Sequence, residues 1–284
     1  MATFRQFLEG AADEAGKRPK DHNSDDGRVL LDIKARSALE AIDRYCSDSM
    51  WMVKQNAPIW RGERNIPHSQ KIAELGFGAV DSLATTRASE NSTNHYTLIL
   101  DNVPSRASMP KRSKSLICST SNNHARYYAD PHGRSSTLYA LIPFNDAVIG
   151  VCNRIDIWDT PVTIWGEEHL IEEWNIKFEE GLGLPGRRWE EFEAFDRRLK
   201  AHDVGAKDMF RRAFPEAGPN ATQTFIEDID RAYSPKALGQ TSEQPRGFRF
   251  DDETRSELWI SGKVLMIVST VWDDLIRDNE RTRR

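Results

Sequence analysis

Three places in the chain hold residue types that can do chemistry together. Arg61 stands in IWRG (59–62), at the end of a short apolar run and directly before a glycine. Ser119, Thr120 and Ser121 close the run SLICSTS (115–121). Glu257 opens the apolar stretch of SELWISGKVLMI (256–267). An arginine presents a planar, multi-donor clamp for an anion. Hydroxyls offer compact hydrogen-bonding groups, and a carboxylate stabilises positive charge that develops beside it. Each also has a plain structural use: an arginine at a strand end, hydroxyl residues that cap the next helix, and one glutamate among many on a surface.

The elements that must position these residues follow from the hydrophobic periods. Helical spacing marks 3–16, with Phe4, Phe7, Leu8 and Ala11 on one face. It marks 28–46 as well, with Leu31, Ala35, Ala38, Leu39, Ile42 and Tyr45 or Cys46 as the stripe. The polar stretch 17–27 separates the two as a loop. Residues 58–62 then read as a short strand entering a turn at Gly62, and 78–84 as another strand. A polar loop covers 85–94, and Tyr96–Leu100 fits either an extended run or a helix start. Residues 101–114 read as an exposed loop, 116–118 as a strand, and HARYYA (124–129) as a short helix. Residues 138–143 and 147–151 make two strand candidates around an Asn145-Asp146 turn. Residues 155–240 change character to charged, helix-rich sequence, with Trp189, Phe192, Phe195 and Leu199 at helical spacing. A linker follows at 239–247, and strand character resumes at 257–260 and 264–268. Strands flanking a helical insertion predict an α+β fold rather than regular βαβ alternation.

Composition bounds the function classes. A chain of 284 residues can bury a core without disulfide or metal staples. Its 39 basic and 44 acidic residues leave a net charge of −5, so there is no global attraction to nucleic acid. The basic stretches 111–114 and 281–284 read as solvated surface. Cys46, Cys118 and Cys152 are widely spaced, with no CxxC, which suggests neither a disulfide framework nor a zinc site. Cys118 and Cys152 sit in apolar runs and read as buried small hydrophobes in a reducing compartment. The acidic N-terminal stretch does not read as a signal peptide, and no run approaches the about 18 apolar residues of a membrane span. The expected location is the cytoplasm, of its own cell or of a host, with no membrane partner. No GxGxxG follows a strand and no Walker A motif is present. His169 lies among Glu167, Glu168, Glu172 and Glu173, too thin a set to predict a metal site, and none of the seven histidines stands in a catalytic motif.

IWRG, SLICSTS and SELWISGKVLMI, in that order, resemble the Arg…Ser-Thr-Ser…Glu pattern of mono-ADP-ribosyltransferases. PKRSKSLICSTS (110–121) also resembles proteins encoded by tailed bacteriophages. The transferase resemblance covers about 58–151 and 248–268. It implies a single domain over 1–284 with split antiparallel sheets, an N-terminal helical part (1–55) and a helical insertion (155–240). It implies NAD as substrate and ADP-ribose transfer to a protein or nucleic-acid acceptor. Arg61 would then grip the pyrophosphate, with Gly62 permitting close backbone approach. Ser119 would hold the ribose or the catalytic carboxylate, while Thr120 and Ser121 would cap the next helix and shape the pocket floor. Tyr127 or Tyr128 would pack on the nicotinamide. Glu257 would stabilise the oxocarbenium-like centre formed when the nicotinamide–ribose bond breaks. Two features depart from the pattern. Arg255 stands where family members that modify protein side chains carry Glu or Gln, so the usual target-orienting group is missing. The gap from Ser121 to Glu257 is also long, and if 155–240 is not an insertion, Glu167, Glu168, Glu172 or Glu173 would have to serve.

Two other functions fit the same residues. One is a non-enzymatic virion component or inhibitor that binds a host protein through the acidic helical region, on a decayed transferase fold. The other is a nucleic-acid modifier with Lys111, Arg112 and Lys114 on phosphate.

Overall fold

The computed structural model describes residues 29–64, 67–87, 97, 100–101, 104–129, 136–152, 157, 194, 197–198, 201, 234–250 and 256–283. The helix expected over 3–16, the loop over 17–27 and nearly all of the helical region 155–240 lie outside the described residues.

The chain divides into two compact units. One comprises 1–24, 88–107 and 158–237, and the other 25–87, 108–157 and 238–284. In the first, Thr97, Leu100 and Asp101 are helical and Pro104–Arg106 forms a 3-10 turn. The second holds a nine-stranded sheet.

The strands are β1 (Val29–Leu31), β2 (Ile59–Arg64), β3 (Phe77–Asp81), β4 (Leu116–Ser119) and β5 (Ser136–Pro143), followed by β6 (Val148–Cys152), β7 (Thr241–Glu243), β8 (Glu257–Ser261) and β9 (Lys263–Val268). They lie in the order β1-β3-β9-β5-β2-β4-β8-β6-β7. All of these pairings are antiparallel, so the fold is α+β around a large antiparallel sheet. The middle is its thinnest point. β2 runs against β5 from Ile59 to Arg64 but meets β4 at one register pair, Trp60 opposite Ser119.

Local sequence explains these elements. LYALI, ELWI and VLMI are almost unbroken apolar runs, as strands covered on both faces require, and their residues are buried. Gly262 joins β8 to β9 at φ 113°, a conformation that a side chain would resist. Five helices are described: α1 (Ala38–Tyr45), α2 (Met50–Gln55), α3 (Pro67–Leu75), α4 (Asn122–Ala129) and α5 (Ser269–Arg283). Ile42 of α1, Met52 of α2, Ile72 of α3 and Trp272 of α5 join Ile59, Leu141, Leu265 and Met266 in one core. Trp272 Nε1 donates to Asn56 Oδ1 at 3.0 Å, which ties α5 to the end of α2.

The expected helix over 28–46 is shorter than its hydrophobic stripe. Val29–Leu31 instead pairs with Asp81–Ala79, and the helix begins only after Ser37, whose Oγ accepts from Glu40 N. Leu39, on the expected stripe, is 49% exposed. Tertiary pairing with β3 wins over local helical spacing here. IWRG does not enter a turn either: β2 continues through Gly62 to Arg64. The stretch 101–114 is not all exposed surface, because Arg106, Arg112 and Ser113 are buried.

Candidate functional site

Ser119 is the pivot of the site. Its backbone lies opposite Trp60 on one side and opposite Glu257 on the other. Directly paired residues of a sheet share a face, so Trp60, Ser119 and Glu257 point the same way from three neighbouring strands. The Ser119 Oγ accepts from Ser121 N at 3.0 Å, folding the triplet into a tight turn. Ser121 then caps α4: its carbonyl accepts from Ala125 N at 3.0 Å and its Oγ lies 3.5 Å from His124 N. Thr120 takes a different job. Its N–H donates to Ser256 O at 3.1 Å, and its Oγ1 accepts from Ser256 N at 3.0 Å. The triplet is therefore bolted to the residue directly before Glu257.

Glu257 is buried, 5% exposed. Its Oε1 accepts from Trp259 Nε1 at 2.6 Å and its Oε2 from Ile157 N at 3.2 Å. Arg112 Nε stands 3.8 Å from Oε1, and the Arg112 guanidinium lies 5.9 Å from the Trp259 ring centre. Arg112 is itself 5% exposed. A nearby cation and two N–H donors are the compensation that a carboxylate this deep needs, since an uncompensated buried charge is costly.

Arg61 sits one residue beyond the register point, opposite Tyr139. Strand alternation turns its side chain to the other face from Ser119 and Glu257. Its Nε donates to Glu63 Oε1 at 2.6 Å, and its Nη1 donates to Ile117 O at 2.5 Å. The fork thus bridges β2 and β4 beyond their one register pair, next to a carboxylate that neutralises it. Gly62 faces α4, where a Cβ would meet the Ala125 carbonyl oxygen at 2.3 Å. Tyr127 and Tyr128 of α4 are 41% and 36% exposed, with their rings edge-on at 6.0 Å.

A cavity of about 480 Å³ opens on the Trp60 face. Of the residues expected to bind substrate, Thr120 and Ser121 line it; Trp60, Arg126, Trp272 and Asp273 are among its other walls. Arg255, Glu167, Glu168, Glu172, Glu173 and His169 lie outside the described residues.

Sequence reasoning missed Trp259 and Glu63, and it set Arg112 on the surface or on a nucleic-acid phosphate, whereas the side chain is buried beside Glu257. Arg112 was hidden by its basic neighbours in KRSK, which read as solvated surface. Trp259 and Glu63 had a readable signal: each stands two residues along a strand from Glu257 or Arg61, and so shares its face.

Among the described residues, no group of three or more His, Cys, Asp and Glu side chains could hold a metal ion. No described helix is long and apolar enough to cross a membrane. In comparisons with known proteins, no family model, no curated protein and no solved structure matches the chain.

Proposed function

We propose that the chain is an NAD-consuming mono-ADP-ribosyltransferase, acting on a protein or nucleic-acid acceptor in the cytoplasm of its own cell or of a host. One observation carries this reading: Ser119 and Glu257 are in register on adjacent strands, with Thr120 hydrogen-bonded to Ser256. Such a pair can hold a ribose hydroxyl against a carboxylate while the C1′–nicotinamide bond lengthens. The carboxylate then stabilises the cationic sugar, and the acceptor nucleophile takes nicotinamide's place. The sheet supports the reading too, because its two halves meet at one register pair beside these residues. Exclusion of water matters for such a reaction, since water competes with the acceptor.

The test is nicotinamide release from NAD by purified protein, alone and with a lysate, followed by mass spectrometry for a transferred ADP-ribose. Glu257→Gln keeps an acceptor oxygen for the Trp259 N–H and removes the negative charge. The reading requires turnover in the wild type and its loss, by about two to three orders of magnitude, in this variant. Equal turnover in both removes Glu257 from the chemistry.

A second reading has its own support. Both Glu257 oxygens accept hydrogen bonds from within the chain, and Arg61 is bonded to Glu63. A non-catalytic virion component or host-protein inhibitor on the same framework would keep these groups for stability alone. Absence of NAD binding by calorimetry, together with a partner lost on deleting 155–240, is the result that selects it.

A further inference from the structure

The cavity on the Trp60 face is built from side chains suited to one kind of molecule. Arg126 lies on its wall and makes no ion pair among the described residues. Asp273, from the first part of α5, lines the same space and is likewise exposed without an ion pair among the described residues. Trp60 contributes an indole that is only partly buried. Thr120, Ser121 and Asn122 supply hydroxyl and amide groups. The volume, about 480 Å³, falls within the range of small-molecule sites.

We infer that this cavity binds a nucleoside phosphate, with Arg126 as the contact to the phosphate. The three parts of such a ligand match three walls. A guanidinium gives a phosphate two parallel, charge-assisted hydrogen bonds. A carboxylate accepts from a ribose diol, which is the role an acidic residue takes in dinucleotide sites. An indole face stacks on a flat base. Arg61 is a poorer phosphate contact, because its fork already donates to Glu63 and to the Ile117 carbonyl. The groups that Glu257 and Ser119 present lie on the same sheet face as Trp60. Naming the nucleotide as the ADP half of NAD rests on the transferase reading; selectivity for a nucleoside phosphate does not.

The experiment is calorimetric titration of the full chain with ADP, AMP and adenosine at low ionic strength, for wild type, Arg126→Gln, Arg126→Lys and Asp273→Asn. Circular dichroism checks that each variant folds, and the exposed positions of Arg126 and Asp273 make this the expected result. Wild type binds ADP at least about tenfold more tightly than adenosine, in line with the strength of charged hydrogen bonds. Arg126→Gln abolishes that preference, Arg126→Lys restores part of it, and Asp273→Asn weakens ADP and adenosine alike. An Arg126→Gln protein that still prefers ADP tenfold overturns the inference, as does a wild type that binds ADP no better than adenosine. Nicotinamide release measured on the same samples separates the two ideas. ADP binding that depends on Arg126 without any nicotinamide release upholds the site and sinks the transferase reading. Nicotinamide release undiminished by Arg126→Gln does the reverse.

Discussion

Gly62 of β2 lies against the main chain of Ala125 in α4, so closely that a Cβ at Gly62 would stand 2.3 Å from the Ala125 carbonyl oxygen and 2.7 Å from the Ala129 Cβ. The obstruction is backbone, which cannot swing aside as a flexible side chain would. This contact sets the height of α4 above the sheet, and with it the position of Ser121, Asn122 and Arg126 at the cavity. Gly62→Ala should therefore push α4 outward and destabilise the protein by about 2–3 kcal/mol, the scale of overpacking in a tight core. Urea denaturation measures it. An unchanged midpoint would mean that α4 moves freely and that its seat on β2 is not fixed by this glycine.

Thr120 and Ser256 exchange two hydrogen bonds, one through each backbone N–H. Thr120→Val keeps the shape and removes Oγ1, leaving the N–H of Ser256, a buried residue, with no acceptor at that point. The expected cost is about 1–3 kcal/mol, the penalty of an unsatisfied buried donor. Thr120→Ser restores the hydroxyl and should recover most of it. If Val and Ser variants are equally stable, the hydroxyl does not hold Ser256.

Much of the sheet was legible in the sequence because its strands carry their own signal. LIC, LYALIP, AVIGV, ELWI and VLMIV are apolar runs bounded by turn residues, and each lies within or across β4, β5, β6, β8 or β9. The short helix after Ser121 was legible through its cap. β1 was not, since three residues acquire strand form only by pairing with β3. The face of Arg61 depends on a one-residue register between β2 and β4, which no local pattern encodes. Arg112 was illegible for a similar reason: burial of a cation is decided by a distant partner, Glu257, and not by its own basic neighbours.

That pair gives a further prediction. Arg112 Nε and Glu257 Oε1 stand 3.8 Å apart with both side chains buried. Removing the cation takes a positive charge from beside a buried carboxylate. Arg112→Met should cost about 3–5 kcal/mol, the range seen when one partner of a buried pair is deleted. Glu257→Gln should cost less, because the amide keeps an acceptor for Trp259. In the double variant the two losses should fall short of their sum by at least about 1 kcal/mol. Strict additivity would show that the two side chains do not share their energy.

Alkaline pH should loosen the fold through two buried acids. The Cys46 thiol is pushed well above its ordinary range by burial first and by the charge of Asp146 second. The Tyr139 hydroxyl is also raised: burial is the main cause, its hydrogen bond with Ser69 works against it, and the Glu63 charge adds to it. Both groups hold their proton more tightly folded than unfolded. The unfolded chain therefore ionises first, and stability falls as pH climbs through the unfolded values, about 8.5 for a thiol and about 10 for a tyrosine. Below about pH 8 these two groups leave stability flat. Cys46 contributes a slope approaching 1.4 kcal/mol per pH unit above about pH 8.5, and Tyr139 adds its own only above about pH 10, in each case while only the unfolded form is ionised. Urea midpoints taken from pH 7.5 to 10.5 test this, with Cys46→Ala as the control. The alanine protein starts from lower stability because its core has lost a sulfur, but its decline between about pH 8.5 and about pH 10 should be shallower than that of the wild type. If both proteins decline in parallel from pH 8.5, ionisation of Cys46 plays no part in alkaline unfolding.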